Sequence, residues 1–263
     1  MPEIATPVTG GDPSTPVPGS NDSMPTSRDE SLLTTRRTAS TLLLVGAALL
    51  FIGNTAHPID ADSSATSRLV LAGADSWMPI HLVIAVGILA VVGGLAVLSQ
   101  AITQPLAAAY ARLAAVLAVV GGTTLVLVFA ALDGYGQAAL AESWATANGA
   151  EREMIETVAL ALDTIDSGMT AIGILALFGG AMAALGVAII VSRMVGRWLG
   201  WSALGIGLAG TVTGVLFSIL GSTAFVINGL FRPVAMAATL YFVALAVALR
   251  RRQSRVGQNG QVG

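Results

Sequence analysis

The sequence predicts an all-α polytopic membrane protein: six transmembrane helices with a small extracytoplasmic helical cap. Three observations predict this. Residues 38–59, 76–111, 113–132, 167–192, 198–231 and 233–249 contain no Asp, Glu, Lys or Arg. A transmembrane helix needs roughly 20 mostly apolar residues, and each of the six windows reaches or approaches that length. The chain is 54% hydrophobic and 11% charged, whereas a soluble domain carries about 25% charged residues. Between the windows the charges alternate in sign, with arginines at one set of ends and carboxylates at the other.

Residues 1–35 hold six prolines among Ser, Thr, Gly and Asp. Such a segment buries too little apolar surface to offset its ordering entropy, so a disordered cytoplasmic tail is expected there. Residues 36–252 form the six-helix domain and residues 253–263 a flexible cytoplasmic tail. The first span is about Thr38–Ala56. In the loop after it, Asp62 is a candidate cap for a short helix through Leu71, ended by Gly73. Trp77 precedes the second span, about Ile80–Ser99, where aromatic residues favour the interface. Gln104-Pro105 marks a turn before the third span, about Leu113–Leu132, bracketed by Arg112 and Asp133.

Residues 134–166 are the one sizeable polar insertion, and with 57–79 they make the cap. Asn148-Gly149 is a turn signal that divides the insertion into two helical halves. In the second half, Ile155, Val158, Ala161, Leu162, Ile165 and Met169 fall on one side at 100° per residue. Glu156, Asp163, Asp166 and Ser167 fall on the other. This is an amphipathic helix; it leads into the fourth span, about Ser167–Ser192, with Gly168 as the expected kink. Trp198 and Trp201 open the fifth span, about Leu199–Leu220. Arg232-Pro233 opens the sixth, about Pro233–Leu249.

Ten arginines fall on the side of the termini and three, Arg68, Arg152 and Arg232, on the other. The positive-inside rule then places both termini in the cytoplasm of a plasma-membrane protein. Ten of the fifteen carboxylates lie outside.

Absences narrow the chemistry. With no cysteine, disulfides, thiolate metal sites and Cys nucleophiles are excluded. With no lysine, Schiff-base pigments are excluded. There is no phosphate-binding Gly-Lys loop, no Gly-x-Ser-x-Gly elbow and no basic, aromatic-laced patch for nucleic acid. Neither histidine is mid-span, so haem between helices is not expected, and the sequence calls for no cofactor. The partners it implies are the lipid bilayer and other membrane proteins, or self-association through glycine-rich helix faces such as Gly210-x-x-x-Gly214.

The candidate site residues are few. His57 ends the first span and His81 begins the second, both at the outer face. Two imidazoles with nearby carboxylates suit a divalent metal such as zinc or a proton-relay pair, provided that His57 and His81 converge. Their spacing matches no helical metal motif, and the plainer alternative is a helix-end residue and an interfacial one. Asp133 ends the third span and Asp166 starts the fourth; ionisable groups at membrane depth are costly and functional by default. The plainer alternative for both is a boundary residue on a solvated helix face.

Asn54-Thr55-Ala56-His57-Pro58, Trp77-Met78-Pro79-Ile80-His81-Leu82, Leu132-Asp133-Gly134, Trp144 and Arg197-Trp198-Leu199-Gly200-Trp201 together resemble a group of six-span prokaryotic membrane proteins of unknown activity. The resemblance covers about residues 38–250. It implies a six-helix fold and carries no activity. It directs attention to His57, His81, Asp133 and Trp198. Three functions stay open. The missing mid-membrane charges favour a non-enzymatic accessory, sensor or assembly subunit. A small permease or proton-coupled carrier would turn Asp133 and Asp166 toward a water-filled cavity. A membrane-embedded metal-dependent hydrolase would gather His57, His81 and an Asp around one ion.

The orientation is directly testable, because the chain has no native cysteine to block. A cysteine at Ala65 should react with a membrane-impermeant maleimide on intact cells, and one at Gly257 only after lysis. Labelling of Gly257 from outside would reverse the topology.

Overall fold

The computed structural model describes residues 27–58 and 64–259. All its regular elements there are helical: α1 (Ser27–Ala56), α2 (Ala65–Ala72), α3 (Trp77–Gln100), α4 (Pro105–Leu127), α5 (Gln137–Thr146), α6 (Ala150–Ile174), α7 (Met182–Ser192), α8 (Arg197–Leu220) and α9 (Arg232–Asn259). Three π-helical segments, Val128–Gly136, Leu175–Ala181 and Phe225–Phe231, run without a break into α5, α7 and α9. Six helical stretches are long and apolar enough to cross a membrane, so this is a six-span, multi-pass fold. Neighbours in sequence pack side by side, and α9 closes the ring against α1. Ser40 helps fix that closure, donating to the Ala246 carbonyl at 3.1 Å and accepting from Arg250 at 2.9 Å.

Two of the six stretches, Pro105–Thr146 and Ala150–Ser192, are 42 and 43 residues long. At 1.5 Å per residue each measures about 63 Å, twice the ~30 Å hydrocarbon layer. The excess emerges at the acidic end. There α5 and the start of α6 pack with α2 around a second small core that includes Leu69, Trp77, Ala141, Ile155 and Ala159. Trp144 donates to Glu156 at 2.9 Å, with the Arg152 guanidinium 3.7 Å over its ring. The expected cap is therefore present, and Gly149, at φ 55°, makes the turn between its halves.

Several boundaries differ from expectation. Helix α1 begins at Ser27 and α9 ends at Asn259, so both terminal helices run beyond the expected spans. Residues 1–26 and 260–263 lie outside the described residues. Once a helix exists, each added residue gains a hydrogen bond at little cost. Asp62 also lies outside the described residues; α2 is capped by Ser64, which accepts from the Ser67 amide at 3.0 Å. Gly168 makes no kink, because α6 passes through it as regular α-helix. The irregularity comes later, in the π-helical Leu175–Ala181 around Gly179-Gly180.

The amphipathic helix α6 turns its polar side toward the bundle. Val158 and Ile165 are 48% and 56% exposed, whereas Ser167 is buried and Glu156, Asp163 and Asp166 are half-buried. Ile155, on the same side as Val158 and Ile165, turns into the second small core, so the apolar side is shared between that core and the outside while the polar side faces the bundle.

Glycines set the helix separations. A Cβ on Gly121 would lie 2.5 Å from the Leu177 amide nitrogen, and one on Gly210 2.5 Å from the Phe178 carbonyl. These faces are occupied within the chain. Gly205 by contrast opens on free space. Gly121→Ala should therefore cost about 1–3 kcal/mol through overpacking. Gly205→Ala should be neutral or stabilising by up to about 1 kcal/mol through helix propensity. Thermal unfolding in mild detergent separates the two; equal midpoints would contradict the packing described.

Candidate functional site

At the acidic end the bundle encloses a cavity of about 120 Å³. Its polar wall includes His57, Asp133, Asp163, Asp166, Arg68 and Arg232. They come from five separate parts of the chain. His57 follows the last residue of α1, and His81 lies one turn into α3, directly behind the cavity wall. Asp133 sits in the first π-helical segment, and Asp163 and Asp166 on the inward face of α6. Arg68 comes from α2, and Arg232 is the first residue of α9.

Sequence reasoning placed Asp133 at the end of a span. In the structure the helix does not end there. A π-helical turn carries it on into α5 and turns the Asp133 carboxylate inward. The following residue has to be small, because a Cβ on Gly134 would lie 2.6 Å from the Phe129 carbonyl and 3.3 Å from His81 Cβ.

The histidines converge. His81 is fully buried, not interfacial. Its Nδ1–H donates to the Trp77 carbonyl one turn back at 2.7 Å. The Nδ1–H of His57 donates to the Pro58 carbonyl at 2.8 Å. Each carbonyl accepts a proton and has none to give, so each neutral ring carries its hydrogen on Nδ1 and its lone pair on Nε2. The two Nε2 atoms face each other at 3.2 Å, and Asp133 Oδ2 is 2.9 Å from His81 Nε2. Three lone-pair donors thus meet at one place, all within 4.8 Å of one another. Ligands held about 2.0–2.1 Å from one tetrahedral ion are about 3.3–3.4 Å apart. The His57–His81 contact is close to that spacing, and the His81–Asp133 contact is shorter.

The surroundings favour uncharged imidazole at His57, which lies just beyond the first span. Burial lowers its pKa below the ordinary histidine value, the adjoining His81 lowers it further and Arg232 adds to this; Asp133 and the Pro58 carbonyl act in the opposite sense. Arg232 donates to the carbonyls of His57 and Pro58 at 3.2 and 3.0 Å and so clamps the end of α1.

Trp77 was missed as a site residue. It is only 4% exposed and is not an interface anchor. Its ring centroid is 4.5 Å from that of His81 and 5.5 Å from that of His57, and its Nε1–H donates to the Asp133 carbonyl at 2.7 Å. One residue therefore braces all three. No spacing rule identifies it, because its partners are 20 and 56 positions away. Trp198, by contrast, is exposed on α8, whose first turn lies at the basic end of the bundle, away from the cavity.

Asp163 forms an ion pair with Arg68 and accepts from the Ser222 hydroxyl at 3.1 Å. Asp166 is different. Its Oδ1 is buried without a hydrogen-bond partner, as is Oδ1 of Asn228, which also lines the cavity. The cavity wall thus carries the carboxyl groups of Asp133, Asp163 and Asp166 and the guanidinium groups of Arg68 and Arg232.

No family model, curated protein or solved structure matches this chain. The reading of the site therefore rests on its own geometry.

Arg68→Ala strands the mostly buried Asp163 carboxylate. It should cost about 3 kcal/mol, whereas Arg68→Ala with Asp163→Ala should recover part of that loss. Unfolding midpoints of the single and double variants check this. A double variant no better than the single one would mean that the pair is not coupled.

Proposed function

We propose that this chain is a metal-binding protein of the plasma membrane, with both termini cytoplasmic, that holds one divalent cation of the zinc class at its outer face. His57 Nε2, His81 Nε2 and a carboxylate oxygen of Asp133 are the ligands. One observation carries this reading. The Trp77 and Pro58 carbonyls commit both Nδ1 protons, so two imidazole lone pairs and an anionic oxygen point at each other with nothing between them to share.

Three like acceptors at such distances repel unless a cation separates them. Histidines that ligate metal usually donate their other ring N–H to a carbonyl or carboxylate, which fixes the tautomer. Both histidines have that second partner here. The absence of Cys directs the site to nitrogen and oxygen ligands. The short His81–Asp133 contact favours one other occupant. A single proton on His81 Nε2, pointing between Asp133 and His57, would make the trio a proton relay.

Metal analysis separates the two. Tag-free protein, purified in mild detergent and equilibrated with zinc, should retain about one equivalent per chain. His57→Ala, His81→Ala and Asp133→Ala should each lose it while keeping the wild-type elution volume on size exclusion. Wild-type protein that holds no more zinc than these variants would exclude the metal and leave the proton relay.

A further inference from the structure

We propose that the metal centre is hydrolytic, with Asp166 as its general base, and that it cleaves a carboxylic ester at the membrane surface. This rests on the metal reading above. Three protein ligands leave an ion of the zinc class with an open position, which in catalytic sites a water occupies. Two of the three ligands, His57 and Asp133, line the cavity, so a water on such an ion would be reached from that side.

A metal-bound water brings two O–H donors. The cavity holds two buried oxygens that lack one, Asp166 Oδ1 and Asn228 Oδ1. A buried acceptor without a donor costs about 1–3 kcal/mol, so these groups are placed for something that the protein itself does not supply. Asp163 cannot take the role, because Arg68 and Ser222 occupy its carboxylate. Asp166 is the free carboxylate.

The balanced step uses only these parts. The ion lowers the pKa of its water, and Asp166 takes one proton. The hydroxide so formed attacks the ester carbon while the carbonyl oxygen's developing charge is held by the ion. The C–O bond to the alcohol breaks, and Asp166 returns its proton to the leaving alkoxide. The products are a carboxylic acid and an alcohol, with no oxidant or reductant required.

The walls indicate the substrate. Ile84, Phe129, Phe217, Ile227 and Phe231 line the cavity toward the bundle. This apolar floor suits an acyl group and offers no charged partner. On α6, Ile165 is exposed beside Asp163 and Asp166, and Val158 and Leu160 are exposed in the preceding turns. This outward apolar face suits a substrate that reaches the site from the lipid side. A small soluble ester presents the same bond from the water side.

The test uses zinc-loaded full-length protein in detergent micelles. Glycerol monolaurate is the membrane-borne probe and glycerol triacetate the water-soluble one, with acid release as the readout. Wild type should cleave monolaurate faster than His81→Ala does. Asp166→Asn should keep its one equivalent of zinc and lose at least about 100-fold in rate. Asp166→Asn with the wild-type rate would overturn the role of Asp166. Zinc-loaded wild type no faster than His81→Ala on either ester would overturn hydrolysis while leaving the metal reading intact. Failure to bind zinc at all would remove both. Cleavage of triacetate at or above the monolaurate rate would assign an aqueous substrate instead of a lipid.

Discussion

The hydrogen bond from His81 Nδ1 to the Trp77 carbonyl, closed within a single turn of α3, governs the chemistry of the whole acidic end. It commits the ring's proton away from the cavity. His57 makes the corresponding commitment to Pro58. With both protons held by backbone, the remaining ring atoms are acceptors, and Asp133 adds a third. Each group is reasonable alone; together they require a positive charge. Trp77 keeps them together, because its carbonyl fixes His81 while its indole N–H fixes the Asp133 backbone.

The bilayer explains why this site lies at one end. Mid-span, the helices approach so closely that Gly121 and Gly210 face neighbouring backbone with no room for a methyl group. Small residues do this in lipid because no hydrophobic force drives helices together there. Deeper in the bundle, among the described residues, close contact leaves a cavity of only about 20 Å³, lined mostly by apolar residues such as Ile88, Leu125 and Phe178. Toward the acidic end the packing loosens. Two π-helical segments, Val128–Gly136 and Phe225–Phe231, supply Phe129, Asp133, Asn228 and Phe231 to the cavity wall. The third supplies Phe178, whose ring meets Phe231 edge to face at 6.2 Å. A π turn widens a helix locally and often marks a functional position. Here it lets continuous helices turn polar groups inward without a loop in the membrane.

The six spans were legible because lipid excludes charge over about 20 residues, and that leaves a mark in any single window. The cap was legible for a similar reason, since Asn148-Gly149 interrupts an otherwise helical run. The site was only half legible. His57, His81, Asp133 and Asp166 could be named from residue type and depth, but 24 residues separate the histidines and no local pattern requires them to meet. The orientation of α6 was not legible, because periodicity finds an apolar stripe but does not say whether core or lipid lies against it. Trp77 looked like an interface anchor because a buried brace and a belt residue have the same local sequence. The π-helical turns left only glycines behind, and glycines also serve close packing.

The central claim is that the lone pairs of His57 and His81 and the carboxylate of Asp133 meet on one cation. Anomalous diffraction from crystals of the zinc-loaded protein, collected on both sides of the zinc edge, tests it most directly. The account predicts a single strong peak about 2.0–2.2 Å from both Nε2 atoms and from one Asp133 oxygen. Ordered histidines in direct hydrogen-bond contact with no peak between them would contradict it, as would a peak confined to other residues.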